Sequence, residues 1–109
     1  MNYNVKTIDV FEKQAKRLLK KYASFKGDLA QLINSLKEDP GQGSSLGNGC
    51  FKIRFAIASK GKGKRGSARA ITTIMISEKI VYLLSVYDKG EKETISDKEL
   101  KTLLKHIPI

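Results

Sequence analysis

Residues 51–58, FKIRFAIA, alternate in character: Phe51, Ile53 and Phe55 fall on one side of an extended chain, Lys52 and Arg54 on the other. The same period of two marks strands at 68–76 and 80–87, and a shorter one at 2–7, where Tyr3, Val5 and Thr7 alternate with polar positions. Elsewhere the period is helical. Asp9 is placed to cap a helix running to about residue 22, with Phe11, Ala15, Leu18, Leu19 and Tyr22 on one stripe. Leu29, Leu32, Ile33 and Leu36 predict a second helix that ends before Pro40. The short ASFKGD connection favours an antiparallel helical hairpin. Residues 39–49, DPGQGSSLGNG, contain four glycines and one proline and are expected to be loop. In SDKELKTLLKHI, Ser96 and Glu99 have the spacing of a capping box, which predicts a short C-terminal helix.

The turn segments connect these elements simply. SKGKGKRGS joins the first two strong strands and SEK the next pair, so the three are expected to form an antiparallel meander with the helices covering one face. The predicted class is α+β, with residues 1–109 as a single domain free of internal repeats. Simple alternation in the last strand puts Val81, Leu83, Ser85 and Tyr87 on one face, with Lys89 just beyond. Tyr87 and Lys89 then border the basic strands if register allows, and a slip of one residue turns them away.

Composition narrows the chemistry. The chain has 109 residues, 40% hydrophobic and 29% charged, as expected of a globular protein. No apolar run approaches the roughly 20 residues that cross a bilayer, and the N-terminus lacks a signal-peptide core, so no membrane association and a cytoplasmic location are expected. Cys50 is the single cysteine, which excludes an internal disulfide and a cysteine-based zinc site. It reads as a small apolar residue at a strand start rather than a nucleophile. The Gly-rich segment has neither a preceding strand nor a GK[ST] ending, which argues against a Walker-type phosphate loop. His106, near an apolar chain end, is expected at a helix terminus rather than in acid–base chemistry.

Charge then points to a ligand. The net charge is +10, and all 11 acids fall within residues 9–39 or 78–99. The acid-free interval carries Lys52, Arg54, Lys60, Lys62, Lys64, Arg65 and Arg69 around one strand-loop-strand unit. A field of one sign on this scale attracts polyanions, above all nucleic acid. Lysines in EKQAKRLLKKY are instead expected to coat an exposed helix face. The basic unit contains no His, Asp or Glu, so its chemistry would rest on Arg as a bidentate phosphate clamp and Lys as a charge or proton carrier, without metal or other cofactor. Tyr87 could stack on a base or ribose.

In their order, FKIR, GKGKRGSAR, YLLSVYDKGE and ISDKEL resemble the RelE/HigB family of type II toxins, especially its HigB-like branch, over nearly the whole chain. The resemblance implies a toxin that enters the ribosomal A site and cuts mRNA there as an endoribonuclease (mRNA interferase). It implies contacts with 16S/23S ribosomal RNA and a cognate antitoxin, a helix-turn-helix HigA-like protein in that branch. By the same resemblance, Lys52 and Arg54 bind phosphate or transfer protons, Arg65 and Arg69 stabilise the transition state with Lys64 in support, Tyr87 stacks on substrate, and Lys60, Lys62 and Lys89 bind RNA. Relatives usually show KRGGxR where this chain has KRGSAR, so Ser67 occupies a glycine position that could require positive φ. Two alternatives remain: a ParE-like inhibitor of DNA gyrase, and a non-cleaving ribosome- or RNA-binding protein.

Overall fold

The computed structural model describes residues 2–60, 67–91 and 94–108. Its elements run β1 (Asn4–Thr7), α1 (Asp9–Lys21), α2 (Phe25–Glu38), β2 (Ser44–Gly47), β3 (Cys50–Ala56), a 3-10 turn (Ala58–Lys60), β4 (Ser67–Met75), β5 (Ile80–Asp88) and α3 (Asp97–Leu104). One five-stranded sheet has the order β1-β5-β4-β3-β2. The expected α+β class and the antiparallel β3-β4-β5 meander are both present. β1 joins the β5 edge in parallel, because the two helices carry the chain away before it re-enters the sheet at the opposite edge.

Residues 39–49 depart from the loop expected there. Ser44 and Ser45 pair with Lys52 and Phe51, making β2 a short edge strand. Positive φ at Gly47, Asn48 and Gly49 turns the chain back into β3. The strand owes its existence to this turn and to its neighbour, since SSLG has almost no hydrophobic alternation of its own.

Register assigns the two sheet faces. Phe51, Ile53 and Phe55 lie opposite Thr72, Ala70 and Ala68, and this face receives α1 and α2. The Phe55 ring sits 6.2 Å from that of Phe25 in α2, while the Tyr22 hydroxyl after α1 donates to Asp88 of β5 at 2.5 Å. Phe11, Ala15, Leu18, Leu32 and Leu36 are buried here. Leu19 is 43% exposed, because a rotation of about 100° per residue puts it at the margin of a stripe centred on Leu18 and Tyr22. Asp9 is not the cap of α1. Ile8 holds that position without a side-chain cap, and Asp9 opens the first turn.

The expectation that all helices share one face fails for α3. Ile71 and Tyr82 point away from α1 and α2 yet are buried, and α3, with buried Leu100 and Leu103, packs against β5 there. Its predicted capping box has formed: Ser96 Oγ accepts from Glu99 N at 3.1 Å, and Ser96 N donates to Glu99 Oε1 at 3.3 Å.

A β-bulge sets the direction of β5. Thr72 pairs with Leu83 but Ile71 pairs with Ser85, so Leu84 is an extra residue in the ladder. Val81 and Leu83 consequently face α1 and α2, whereas Tyr87 faces the other way and Ser85, paired with Ile71, still donates from its Oγ to Gln14 Oε1 of α1 at 3.0 Å. The single face expected for all four is broken at that point.

Candidate nucleic-acid-binding face

The bulge aligns a row of predicted site residues. Arg54 of β3 is directly opposite Arg69 of β4, and Arg69 is directly opposite Tyr87 of β5. Side chains in such pairs start about 5 Å apart. Lys52 occupies the adjacent row on the same face, opposite Ile71. Arg54 is exposed, while Lys52 and Arg69 are half-buried. Among the described residues, none of these three cations forms an ion pair with a carboxylate. Like charges at directly opposed positions of a ladder repel one another, so the arrangement favours an anion beside them.

Arg69 is held in position. Its Nη1 donates to Ser67 Oγ at 3.2 Å and to the Ala68 carbonyl at 3.3 Å. Ser67 opens β4 opposite Ala56, so the serine at this expected glycine position takes part in the sheet. The Ser67 carbonyl also accepts from Lys89 N–H at 3.4 Å, which ties half-buried Lys89 to the start of β4. Lys62, Lys64 and Arg65 lie outside the described residues. For Lys60 only the backbone, in the 3-10 turn, is described.

Tyr87 is 5% exposed. Burial pushes its hydroxyl pKa up, the Arg69 cation opposes that rise, and Glu99 of α3 adds to it. The side chain is therefore a neutral phenol. A base can stack on its ring only once the covering structure moves, so here Tyr87 backs Arg69 from β5. The Cys50 thiol is fully buried and its pKa is likewise pushed up by burial, in keeping with a packing role. His106 Nδ1 lies 2.9 Å from Asp9 Oδ1 at the start of α1, on the helix-terminal surface expected for it. Among the described residues, no three His, Cys, Asp or Glu side chains come together as metal ligands.

The cations line a cleft of about 470 Å³ whose other wall is Gln42, Gly43 and Ser44. Sequence reasoning missed this wall because it treated the segment as loop. Gly43 was the available signal: its φ is +98°, and a Cβ there would lie 2.5 Å from the Lys52 carbonyl. That close approach seats the approach to β2 flush against β3.

The family model for the RelE toxin of the RelE/RelB toxin-antitoxin system matches residues 8–107. The chain belongs to the RelE toxin family. Two solved structures show the same fold. A double-arginine variant of the Escherichia coli RelE toxin in the free state aligns with a TM-score of 0.64 at 15% identity, covering 99% of this chain and 100% of that one. The isolated E. coli RelE toxin in a P21 crystal form aligns with a TM-score of 0.60 at 16% identity, covering 96% and 99%. The RelE toxins are one half of a toxin–antitoxin pair, so the basic face described above belongs to a toxin. Among the described residues, no helix is long and apolar enough to cross a membrane.

Proposed function

We propose that this RelE-family toxin is a metal-independent endoribonuclease that cuts mRNA in the ribosomal A site and so stops translation. One observation carries the reading: Arg54 and Arg69 stand directly opposite each other on neighbouring strands, with Lys52 beside them and no acid paired to any of the three among the described residues. In-line attack of a ribose 2′-oxygen on phosphorus places added negative charge on the phosphoryl oxygens, breaks the bond to the 5′-oxygen, and leaves a cyclic phosphate and a 5′-hydroxyl. The paired guanidinium groups suit those oxygens, and the fixed Arg69 adds preorganisation. We assign proton transfer to Lys52 and Arg54, and transition-state support to Arg65 with Lys64 beside it. Lys60, Lys62 and Lys89 extend the grip on RNA. Tyr87 supports Arg69, and stacks on substrate if the ribosome-bound state uncovers it.

In this reading residues 1–109 act as one cytoplasmic toxin domain of the HigB-like branch. Its partners are 16S/23S ribosomal RNA and a helix-turn-helix, HigA-like antitoxin. The test is a translating extract in which mRNA 5′ ends are mapped. Arg54→Ala and Arg69→Ala should each reduce cutting by about 100-fold or more while thermal melts stay unchanged. Inhibited translation with intact mRNA would overturn the reading, as would accumulation of gyrase–DNA cleavage complexes.

A further inference from the structure

A second cleft of about 470 Å³ adjoins the cationic one, and Gln42 and Arg54 line both. They meet where the sheet edge opens: β2 begins at Ser44 opposite Lys52, so from Ile53 onward β3 has no strand partner on this side among the described residues. The two clefts differ in chemistry. The first is built around Lys52, Arg54 and Arg69. The second combines Leu32 and Phe55 with Gln31, Ser35 and Asp28, and among the described residues its one cation is the shared Arg54. An apolar wall with polar side chains, the Asp28 carboxylate among them, suits the amino-bearing edge of a nucleobase, as the cationic cleft suits its phosphate.

Gln42 stands between them in a fixed orientation. Its Nε2 donates to Ser35 Oγ at 3.0 Å and to the Asp39 carbonyl at 3.1 Å, so both amide hydrogens are committed. The carbonyl oxygen is left to meet a ligand, and it can only accept. Asp28 Oδ2 is already occupied by Ser24 Oγ at 2.7 Å and Ala58 N at 3.1 Å. We propose that Gln42 is a base-reading group, accepting a hydrogen bond from the exocyclic amino group of the nucleobase beside the bound phosphate. Adenine, cytosine and guanine carry such a group. Uracil presents a carbonyl oxygen, O4, where cytosine presents its amino group, so with the phosphate held in place it sets acceptor against acceptor and must shift to bring its N3–H to Gln42. The identity of the ligand as RNA rests on the nuclease reading above; the discrimination against uracil rests on Gln42 itself.

The test uses binding by the free protein, separate from cutting. Tetraribonucleotides with a 2′-deoxy residue at the central position, varied through all four bases at each position, are titrated by fluorescence anisotropy. At one position uracil should bind roughly fivefold more weakly than cytosine, the scale of one net hydrogen bond. Gln42→Met should bring that ratio to about one. Ser35→Ala, which keeps Gln42 but frees its amide, should reduce the ratio part of the way. Lys52→Ala should weaken all four bases equally. A ratio that survives Gln42→Met, a wild-type protein indifferent to base, or failure of every tetranucleotide to bind would each overturn the proposal. If the ratio is present and is lost in Gln42→Met while mRNA stays uncut during translation, the nuclease reading falls and the base-reading role of Gln42 stands.

Discussion

The two ladders that flank β4 are built differently. Between β3 and β4 the pairing runs unbroken from Cys50 opposite Thr73 to Ala56 opposite Ser67. Between β4 and β5 it skips Leu84. In the first ladder alternation alone decides which side chains face the ligand, and Lys52 and Arg54 emerge on the open face. In the second, alternation would have aimed Tyr87 at α1 and α2, and one extra residue reverses it. The two halves of the Arg54–Arg69–Tyr87 row therefore differ in character: the β3 end is exposed and electrostatic, the β5 end buried and supportive.

Paired substitutions at the ends of the row should separate those characters most strongly. Tyr87→Ala removes a buried ring from behind Arg69 and should lower the unfolding free energy by about 3 kcal/mol in urea titrations. Arg54→Ala should leave stability unchanged or raise it by up to about 0.5 kcal/mol, because it relieves like-charge repulsion across the ladder. Both should impair cutting. Equal stability losses would show that the division between a chemical and a structural half is wrong.

The contrast extends to the outer edge, where β2 depends on a close approach and not on side-chain packing. Gly43→Ala combines positive φ with a Cβ driven toward the Lys52 carbonyl, and should destabilise by about 2 kcal/mol. If β2 separates from β3 as a result, amide exchange should accelerate at Lys52, whose backbone faces the β2 edge, while the β4–β5 ladder stays protected. Uniform acceleration would mean that the edge strand is not an independent unit.

A finer probe acts on Arg69, the residue that both ladders share. Ser67→Ala deletes the hydroxyl that accepts from Arg69 Nη1 beside the Ala68 carbonyl and should lower kcat roughly fivefold with little change in KM, since the guanidinium is needed most as charge develops. Ser67→Thr keeps the hydroxyl and should retain most of kcat. Equal loss in both variants would point to packing at this buried position instead of the hydrogen bond.

What could be seen in the sequence follows the same division. Phe51, Ile53 and Phe55 against Lys52 and Arg54 is a pattern in which burial and charge reinforce one another, so that strand and its ligand face were legible. The capping box of α3 was legible because Ser96 and Glu99 satisfy each other locally. Leu84 carried no such signal: a leucine in an apolar run looks the same inside a regular ladder and at a bulge, and only the partner strand decides. β2 was hidden because it is held by its turn and neighbour, and with it went Gln42 and Ser44 as cleft residues. The cap of α1 was misassigned because Asp9 is a good capping type next to a position, Ile8, that caps by backbone conformation alone.

The weakest expected effect lies where β5 leaves the sheet. Arg17 Nη2 meets Glu91 Oε1 at 2.7 Å, joining α1 to the turn that follows Asp88. The Arg17 hydrogen bond holds the Glu91 carboxyl below its ordinary value of 4.5 despite partial desolvation. Because the folded state releases that proton more readily than the unfolded chain, the contribution is complete above the unfolded value and disappears as pH falls through the folded one. Both side chains are largely solvated, at 52% and 39% exposure, so its size is under about 0.5 kcal/mol. Glu91→Gln should therefore be slightly less stable than the parent in thermal melts near neutral pH and indistinguishable from it in strong acid, and high salt should erase the difference. A gap that persists in acid would mean that Glu91 holds the end of β5 by packing, and that this ladder is anchored to α1 through Tyr22 and Asp88 without help from charge.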